Sequence, residues 1–569
     1  MQMKALPCGI SDYSIICQGK YAFVDKTKYI ELLEKYYYAF IVRPRRFGKT
    51  LFSGLLELYY DKVNKDVFDK YFSNTYIGSH RTEIASSFRV LHFDFSGLPL
   101  NNIVKNFIST IKNSIYLFLK KYPNKDIEKI INKNYTVPCI LMKDFFARAA
   151  DAYGKSIYII IDEYDQFSNE ILSIDKKKFR EITSSDGMMK NFYSVLKTAT
   201  SLNCPVSRIF ITGVAPISID SMTSGFNIAQ NITTEPKYAA MFGFTEDELK
   251  KLIDETVDFT VYKKSRESIF RRMKDLYDGY SFSIQNGEHV FSPSMSLYYL
   301  NAIVENNAEP VELMDPSFSA DLSKIHGIFS LCRKEAVERI ISLVTESRSI
   351  KAGSLSRVIN INSVHNFSEH DILSILYYLG YLTWHGNKKL LAVPNRTVHQ
   401  QFFEYYFKYI RGMSYIDITP EDFVTAFQTL REGDARPFVE KVLEVLRESF
   451  RINAYLHARE SDVSTAMTMA ANFSEDYRPV VGLEISYPGS GYADLMLRPV
   501  REGEIAYLFE LKYLSKEDGK NCIRVHSALE EAKGQLEHYK TGTNIVEYPH
   551  LQYVACVVSG MELVEFAVC

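Results

Sequence analysis

The sequence has no long hydrophobic run, no paired cysteines and almost no net charge, and each of these absences removes a class of protein. No stretch approaches the ~18 uninterrupted apolar residues that a membrane span needs. The opening residues, Met1-Gln2-Met3-Lys4, lead into neither a long apolar h-region nor a small-residue cleavage site. No membrane association is therefore expected. Eight cysteines (Cys8, Cys17, Cys139, Cys204, Cys332, Cys522, Cys556 and Cys569) are scattered over 569 residues without a C-x-x-C pair. That pattern speaks against a zinc module and a disulfide framework and for a reducing compartment, so a cytoplasmic location is expected. A formal net charge of -2 supplies no global basic field, and any nucleic-acid contact must come from local patches. There is no internal repeat, low-complexity tract or long charged linker. Nothing in the sequence fixes the oligomeric state, and an oligomer stays open.

What is present is an ordinary globular composition, 46% hydrophobic and 24% charged, over a length that suggests roughly three to four domains. Apolar, β-branched segments at 36–42, 90–95, 156–161 and 209–212 read as buried strands, with helical stretches such as 101–121 and 188–202 between them. Strands apolar on both faces that alternate with helices indicate a parallel sheet covered on both sides. After about residue 240 helices dominate, one of them announced by Thr245-Glu246-Asp247-Glu248. Between 316 and 410 helices precede two short strands, Tyr381 to Trp384 and Leu390 to Val393, around a Gly386-Asn387 turn, a winged-helix-like pattern. Strands return at 482–487, 492–497 and 505–511 after a helical stretch over 420–474. The expected division is an α/β P-loop domain over 1–240, a helical lid over 241–315, a winged-helix-like connector over 316–418, and a small restriction-endonuclease-like α/β domain over 419–569.

The first chemical signal is Arg43-Pro44-Arg45-Arg46-Phe47-Gly48-Lys49-Thr50, between an expected strand and an expected helix. In a P-loop, backbone N–H groups at a helix N-terminus cradle phosphate oxygens, the lysine neutralises the β- and γ-phosphates, and the hydroxyl helps to hold Mg²⁺. Arg43 stands where the first glycine of G-x-x-x-x-G-K-[ST] belongs. A second signal is the apolar run Ile157 to Ile161 ending in Asp162-Glu163. A Walker B strand needs that arrangement, with Asp162 reaching Mg²⁺ and Glu163 polarising the attacking water. The bland alternative, a capped helix and a solvated loop, requires both elements to occur in the right order by coincidence. Gly48, Lys49, Thr50 and Asp162 are thus the candidate ATP and Mg²⁺ contacts, with Glu163 catalytic. Thr212, at the tip of the next strand, is placed to sense the γ-phosphate, although a strand-terminal threonine more often has a structural role.

The second constellation lies near the C-terminus. Asp494 begins an apolar strand, and Tyr507-Leu508-Phe509-Glu510-Leu511-Lys512 sets an acid and a lysine two residues apart, on one face if the segment is a strand. Two carboxylates bind a hard cation such as Mg²⁺, and a lysine beside them can orient water, which are the parts phosphodiester hydrolysis requires. The competing reading is a salt-bridged strand without metal. Gln535 and Tyr539 form Gln-x-x-x-Tyr on the following helix, a pattern similar to the recombination-exonuclease branch of the PD-(D/E)XK superfamily, in which Gln535 could position the lysine or a phosphate. Glu484 is a weaker acid candidate. His457, three residues before Glu460, reads as a structural histidine rather than a metal co-ligand, and the aromatic stretch Phe402 to Tyr409 as helix core rather than a base-stacking surface.

Phe23-Val24-Asp25-Lys26-Thr27, the Arg43–Thr50 loop, Ile161-Asp162-Glu163-Tyr164-Asp165 and Tyr277-Asp278-Gly279-Tyr280 together resemble the AAA-ATPase-like proteins of bacteria. In that family an NTPase module precedes a C-terminal PD-(D/E)XK nuclease domain, and the resemblance covers nearly the whole chain. It implies arginine at position 43 and an additional acid, Glu460, joining Asp494 and Glu510 as metal ligands. It also implies Gly-Arg-x-Asp before the metal aspartate, where this chain has Tyr492 in place of the arginine. Arg45 and Arg46 are open between phosphate contact and a solvated basic face. The expectation is an ATP-binding, Mg²⁺-dependent nuclease acting on DNA ahead of RNA, its NTPase gating or loading the nuclease. Two rivals stay open: a nucleotide switch whose C-terminal domain only binds nucleic acid or a partner, and an ATPase motor in which the nuclease is incidental.

Overall fold

In the computed structural model the first apolar segment becomes a strand, β1 (Tyr38–Val42), whose last four residues are buried. The described residues are 3–569 apart from 167–170, 172–175, 184–186, 216–225, 286–287, 311, 316–328, 330–334, 338, 341–349, 357–367, 387–388, 406–419, 450–458, 475, 487–490, 502, 543–544 and 546–547. They form two compact units, Met1–Val337 with Lys351–Asn395, and Glu338–Ile350 with Arg396–Cys569.

In the first unit, β2 (Arg89–Asp94), β3 (Ile157–Asp162), β4 (Val206–Gly213) and the short β5 (Gln230–Asn231) join β1 in a sheet of order β2-β3-β4-β1-β5. Every pairing is parallel. β3, Ile-Tyr-Ile-Ile-Ile-Asp, is buried along its whole length, as a central parallel strand covered on both faces must be. β4 lies between β1 and β3, so the strand that feeds the phosphate loop and the strand that ends in Asp162-Glu163 flank the same tip. Helices α1 (Lys49–Tyr60), α2 (Ile103–Lys121), α3 (Pro138–Tyr153) and α4 (Met188–Thr198) connect the strands.

The 241–315 segment supplies α5 (Glu246–Thr256), α6 (Arg266–Tyr277) and α7 (Pro293–Asn306). Thr245 and Glu248 close a capping box on α5, which satisfies orphan N–H groups at its first turn. These helices share a core with the N-terminal segment, since Leu6 and Ala22 pack with Leu249, Ile253, Phe291 and Leu300. Farther on, α8 (Glu369–Leu379) starts at a Ser368–Asp371 capping box and precedes the antiparallel pair β6 (Thr383–His385) and β7 (Leu390–Ala392). The expected turn residue Asn387 and most of 316–367 lie outside the described residues.

The second unit has α9 (Arg436–Ser449), α10 (Glu460–Ala471), α11 (Cys522–Tyr539) and five strands: β8 (Tyr477–Ile485), β9 (Gly491–Pro499), β10 (Ala506–Leu514), β11 (Leu551–Ser559) and β12 (Glu562–Val568). Their order is β12-β11-β10-β9-β8, with β10 and β11 parallel and the remaining pairs antiparallel. Ala528, Leu529, Ala532 and Leu536 of α11 pack on Met496, Leu508, Ala555 and Val557 of the sheet. Of the stretch Phe402 to Tyr409, Phe402 and Tyr405 are buried, in keeping with helix core, and 406–409 lie outside the described residues. His457 lies outside the described residues. Among the described residues no helix is long and apolar enough to cross a membrane, and the described cysteines are free thiols.

Arg43 is only 1% exposed. Its guanidinium donates to the carbonyls of Val42 (2.9 Å), Thr233 (2.8 Å) and Tyr238 (2.8 Å) and lies 4.3 Å from the centre of the Phe282 ring. Burial pushes its pKa down to about 10, so it stays charged at neutral pH. Replacing it with methionine takes a donor from three buried carbonyls and leaves the Tyr238 carbonyl with only the Met241 N–H at 3.2 Å. The expected loss is at least about 3 kcal/mol, read as a lowered urea midpoint for the first unit. Glycine, the ordinary P-loop residue here, should do no better, and an unchanged midpoint in both variants would contradict the assignment.

Candidate functional site

The loop after Arg43 turns on two left-handed residues, Arg46 (φ 65°) and Gly48 (φ 91°). The second favours glycine and leads directly into α1. That helix has no side-chain cap, so its first N–H groups remain open as anion donors. Phe47 anchors the loop from behind, with its ring 5.0 Å from Tyr280 and 5.5 Å from Phe282. The Ser294 hydroxyl donates to the Arg46 carbonyl at 3.1 Å. Tyr280 of the Tyr277–Tyr280 motif thus braces the loop. Arg45 bonds Gln166 at 2.8 Å, which removes the purely solvated reading for that side chain.

Lys49 is 3% exposed and holds its ammonium 3.1 Å from the Pro44 carbonyl and 3.4 Å from Glu163. Asp162 is fully buried at the end of β3. Burial and the neighbouring Glu163 raise its pKa, against the pull of the Thr50 hydroxyl and Lys49. Glu163 sits at φ 49°, with its own N–H on Asp162 Oδ1 at 2.9 Å. A left-handed glutamate is strained backbone, of the kind that clusters at working sites. Thr212, the next-to-last residue of β4, lies at the same level, one residue past the paired Ile161 and Ile211. Asp162 Oδ2, Glu163 Oε2 and Thr212 Oγ1 are all buried without a hydrogen bond. Three such atoms around one strand tip are costly unless something meets them.

A cavity of about 390 Å³ opens against this loop, lined by Arg46 to Phe52 and Glu163 on one side. Apolar residues line the other, among them Ile10, Phe23, Val24, Phe244 and Leu297. A lining that combines a lysine-bearing loop with apolar side chains suits a phosphate tail attached to a planar base.

A five-stranded parallel sheet, a glycine-lysine-threonine loop at a helix start and an acid pair on a nearby strand fit a P-loop-like domain. Residues 7–223 match the family described as "Predicted AAA-ATPase", and the chain carries an AAA-ATPase-like domain there, which supports ATP binding. The chain is also similar to an uncharacterized protein from the vnfD 5′ region of Azotobacter chroococcum mcd 1. The two are 25% identical over 367 residues, which make up 63% of this chain and 62% of that protein. The family match ends before the second unit begins its own sheet.

In that second unit the structure brings four of the expected residues together. Asp494 on β9 accepts the Leu511 N–H at 2.7 Å. Glu510, 3% exposed on β10, pairs with Lys512 at 3.3 Å, and its Oε2 is buried without a partner. Glu460, at the start of α10, bears electrostatically on Asp494, Glu510 and Lys512. Gln535 Oε1 is also buried and unbonded, whereas Tyr539 donates to the Tyr492 carbonyl at 3.0 Å. Glu484 lies opposite Tyr492 across the β8–β9 pairing. Among the described residues no group of three or more His, Cys, Asp or Glu side chains is disposed to hold a metal ion, so Asp494 and Glu510 stand as a two-carboxylate pair.

The roles of three residues escaped the sequence reading. Arg43 is a structural cation, and nothing in the sequence separates that from a phosphate contact. Glu531, 3.4 Å from Lys512, was signalled only by its place one turn before Gln535. Asp165 stands three residues past Asp162, and its bonds emerge only from the fold.

Burial raises the pKa of both Asp494 and Glu510, and each carboxylate raises the other's or is raised by Glu460. A carboxyl whose folded pKa exceeds its unfolded value favours folding at low pH. That contribution declines as pH rises from the ordinary carboxylate range, about 4, through the folded values. In EDTA, the second unit should lose stability between mildly acidic and mildly alkaline pH. Glu510→Gln should flatten that slope, as measured by denaturant midpoints across the range, and an unaltered slope would refute the cause given.

Proposed function

We propose that the chain is an ATP-hydrolysing protein whose second unit cleaves phosphodiester bonds with Mg²⁺. The observation that carries the first half is the set of buried, unbonded oxygens of Asp162, Glu163 and Thr212 at the strand tips, of which Glu163 lines the same cavity as Lys49 and Thr50. A nucleoside triphosphate is what such a set fits. Lys49 and the open N–H groups of α1 neutralise the phosphate tail, and Thr50 and Asp162 would hold Mg²⁺, which supplies charge stabilisation when bound. Glu163 polarises the attacking water, and Thr212 faces the terminal phosphate. Lys49 leaves Glu163 once phosphate competes for its charge.

In the second unit Asp494 and Glu510 are the metal-binding pair, with Glu460 as a further acid, and Lys512 orients the water. The orphaned Glu510 Oε2 and Gln535 Oε1 support this role. The substrate is DNA, with RNA as the alternative. The second reading, in which this unit binds nucleic acid or a partner without cutting, has an observation behind its partner-binding form. Residues 396–569 carry 18 Lys and Arg against 26 Asp and Glu, and Tyr492 replaces the phosphate-binding arginine. The unit therefore repels a polyanion unless metal offsets it.

Lys49→Ala should lower ATP affinity at least about 100-fold and abolish turnover. In a cleavage assay on linear, circular and single-stranded DNA and RNA, with Mg²⁺ or Mn²⁺ and with or without ATP, Asp494→Ala and Lys512→Ala should each remove cutting by about 10²-fold or more. Wild-type protein that cuts none of these substrates would leave the binding-only reading in place.

A further inference from the structure

The Ile161–Asp165 segment does more than end in two acids. Its last two residues grip the tip of the neighbouring strand. Tyr164 donates its backbone N–H to the Thr212 carbonyl at 3.1 Å and its hydroxyl to the Ala215 carbonyl at 2.7 Å. Asp165, fully buried, accepts the Val214 N–H on Oδ1 at 3.0 Å and the Ala215 N–H on Oδ2 at 2.8 Å. Gly213 lies between these anchors, and a Cβ there would run into Asp165 Oδ1 and the Tyr164 ring. The ring also packs edge-on against Phe40 of β1, 5.2 Å between centroids. The tip from Thr212 to Ala215 is thus held at both ends, by a carboxylate whose bonds to backbone N–H groups are charge-assisted. Only the Thr212 hydroxyl at this tip is left buried and unbonded.

We propose that Asp165, with Tyr164, is a positioning residue for nucleotide hydrolysis, acting through Thr212. The clamp fixes the Thr212 hydroxyl relative to Asp162 and Glu163, which sit on the same turn of chain as the clamp itself. The sensing hydroxyl and the acids that act on water therefore move as one piece. This rests on the ATPase reading above, and it adds that the carboxylate three residues past the Walker B aspartate sets the rate without touching the nucleotide. A carboxylate that merely staples a strand end would alter binding and stability along with turnover.

The test uses the full chain with Mg²⁺, measuring ATP turnover and, separately, the Kd for ATPγS. Asp165→Asn keeps the shape but sets an amide donor against a backbone N–H. It should lower kcat about 30-fold while Kd stays within about threefold, because preorganised groups act on the transition state more than on binding. Thr212→Val should give a similar split, and Thr212→Ser should restore most of the rate. The double variant Asp165→Asn/Thr212→Val should be within about threefold of the slower single one, since residues that act as a unit are not additive. Tyr164→Phe, a milder change, should lower kcat about fivefold and show the same non-additivity with Thr212→Val. That keeps the test decisive if Asp165→Asn does not fold. Losses that multiply in the double variants, or a Kd that weakens in step with kcat, would overturn the clamp. Wild-type chain that binds ATPγS but turns over no ATP would instead overturn the hydrolysis reading, and the clamp with it.

Discussion

The phosphate loop depends on a buried cation. Arg43 replaces the glycine that usually opens such a loop, and its guanidinium reaches three carbonyls from two separated stretches of chain, with the Phe282 ring across it. An unpaired charge in a protein interior is expensive. Here carbonyl dipoles and an aromatic face offset that cost, so the interaction is tight only while the backbone around it stays in place. The end of β1, the segment around Thr233 and Tyr238, and the Tyr280–Phe282 stretch are therefore fixed together. Phe47 adds a second anchor on the same aromatic pair. Arg43, Tyr280 and Phe282, which hold the loop that faces the cavity, do not themselves line it.

That rigidity lets the strand tips next to the loop carry unfavourable chemistry. A left-handed Glu163, a fully buried Asp162 and a buried hydroxyl on Thr212 each cost free energy in the absence of a ligand. They persist because parallel pairing on both sides of β4 and the bonds from Tyr164 and Asp165 over-determine the backbone. Lys49, already desolvated, is held by the Pro44 carbonyl and Glu163 within the chain and would exchange Glu163 for phosphate at little further desolvation. The apolar half of the cavity is built from the N-terminal segment and the helices after residue 240, which share one core. Base and phosphate would thus meet different parts of the same unit.

Much of this was legible in the sequence, for identifiable reasons. Tyr38–Val42 and Ile157–Asp162 announced themselves because central parallel strands are apolar on both faces, and Gly48-Lys49-Thr50 because the residue types are dictated by phosphate. The capping box at Thr245 was readable as a local pattern. Asp494, Glu510 and Lys512 were found because strand periodicity alone places the last two side by side, and the register then brings Asp494 to the Leu511 N–H. What stayed hidden depends on long-range contacts. No local pattern tells a buried Arg43 from a phosphate-binding one. Asp165 binds residues about fifty positions away, and Glu531 reaches Lys512 only once α11 lies across β10.

The central claim, that the cavity at Gly48–Thr50 holds a nucleoside triphosphate with its base against the apolar wall, can be tested by photolabelling with an azido-adenine analogue of ATP in the presence of Mg²⁺. Peptide mapping should place the label within residues 7–24, 241–252 or 293–297, and excess ATP should suppress it. Label confined to residues 477–569, or labelling that ATP does not displace, would contradict the account.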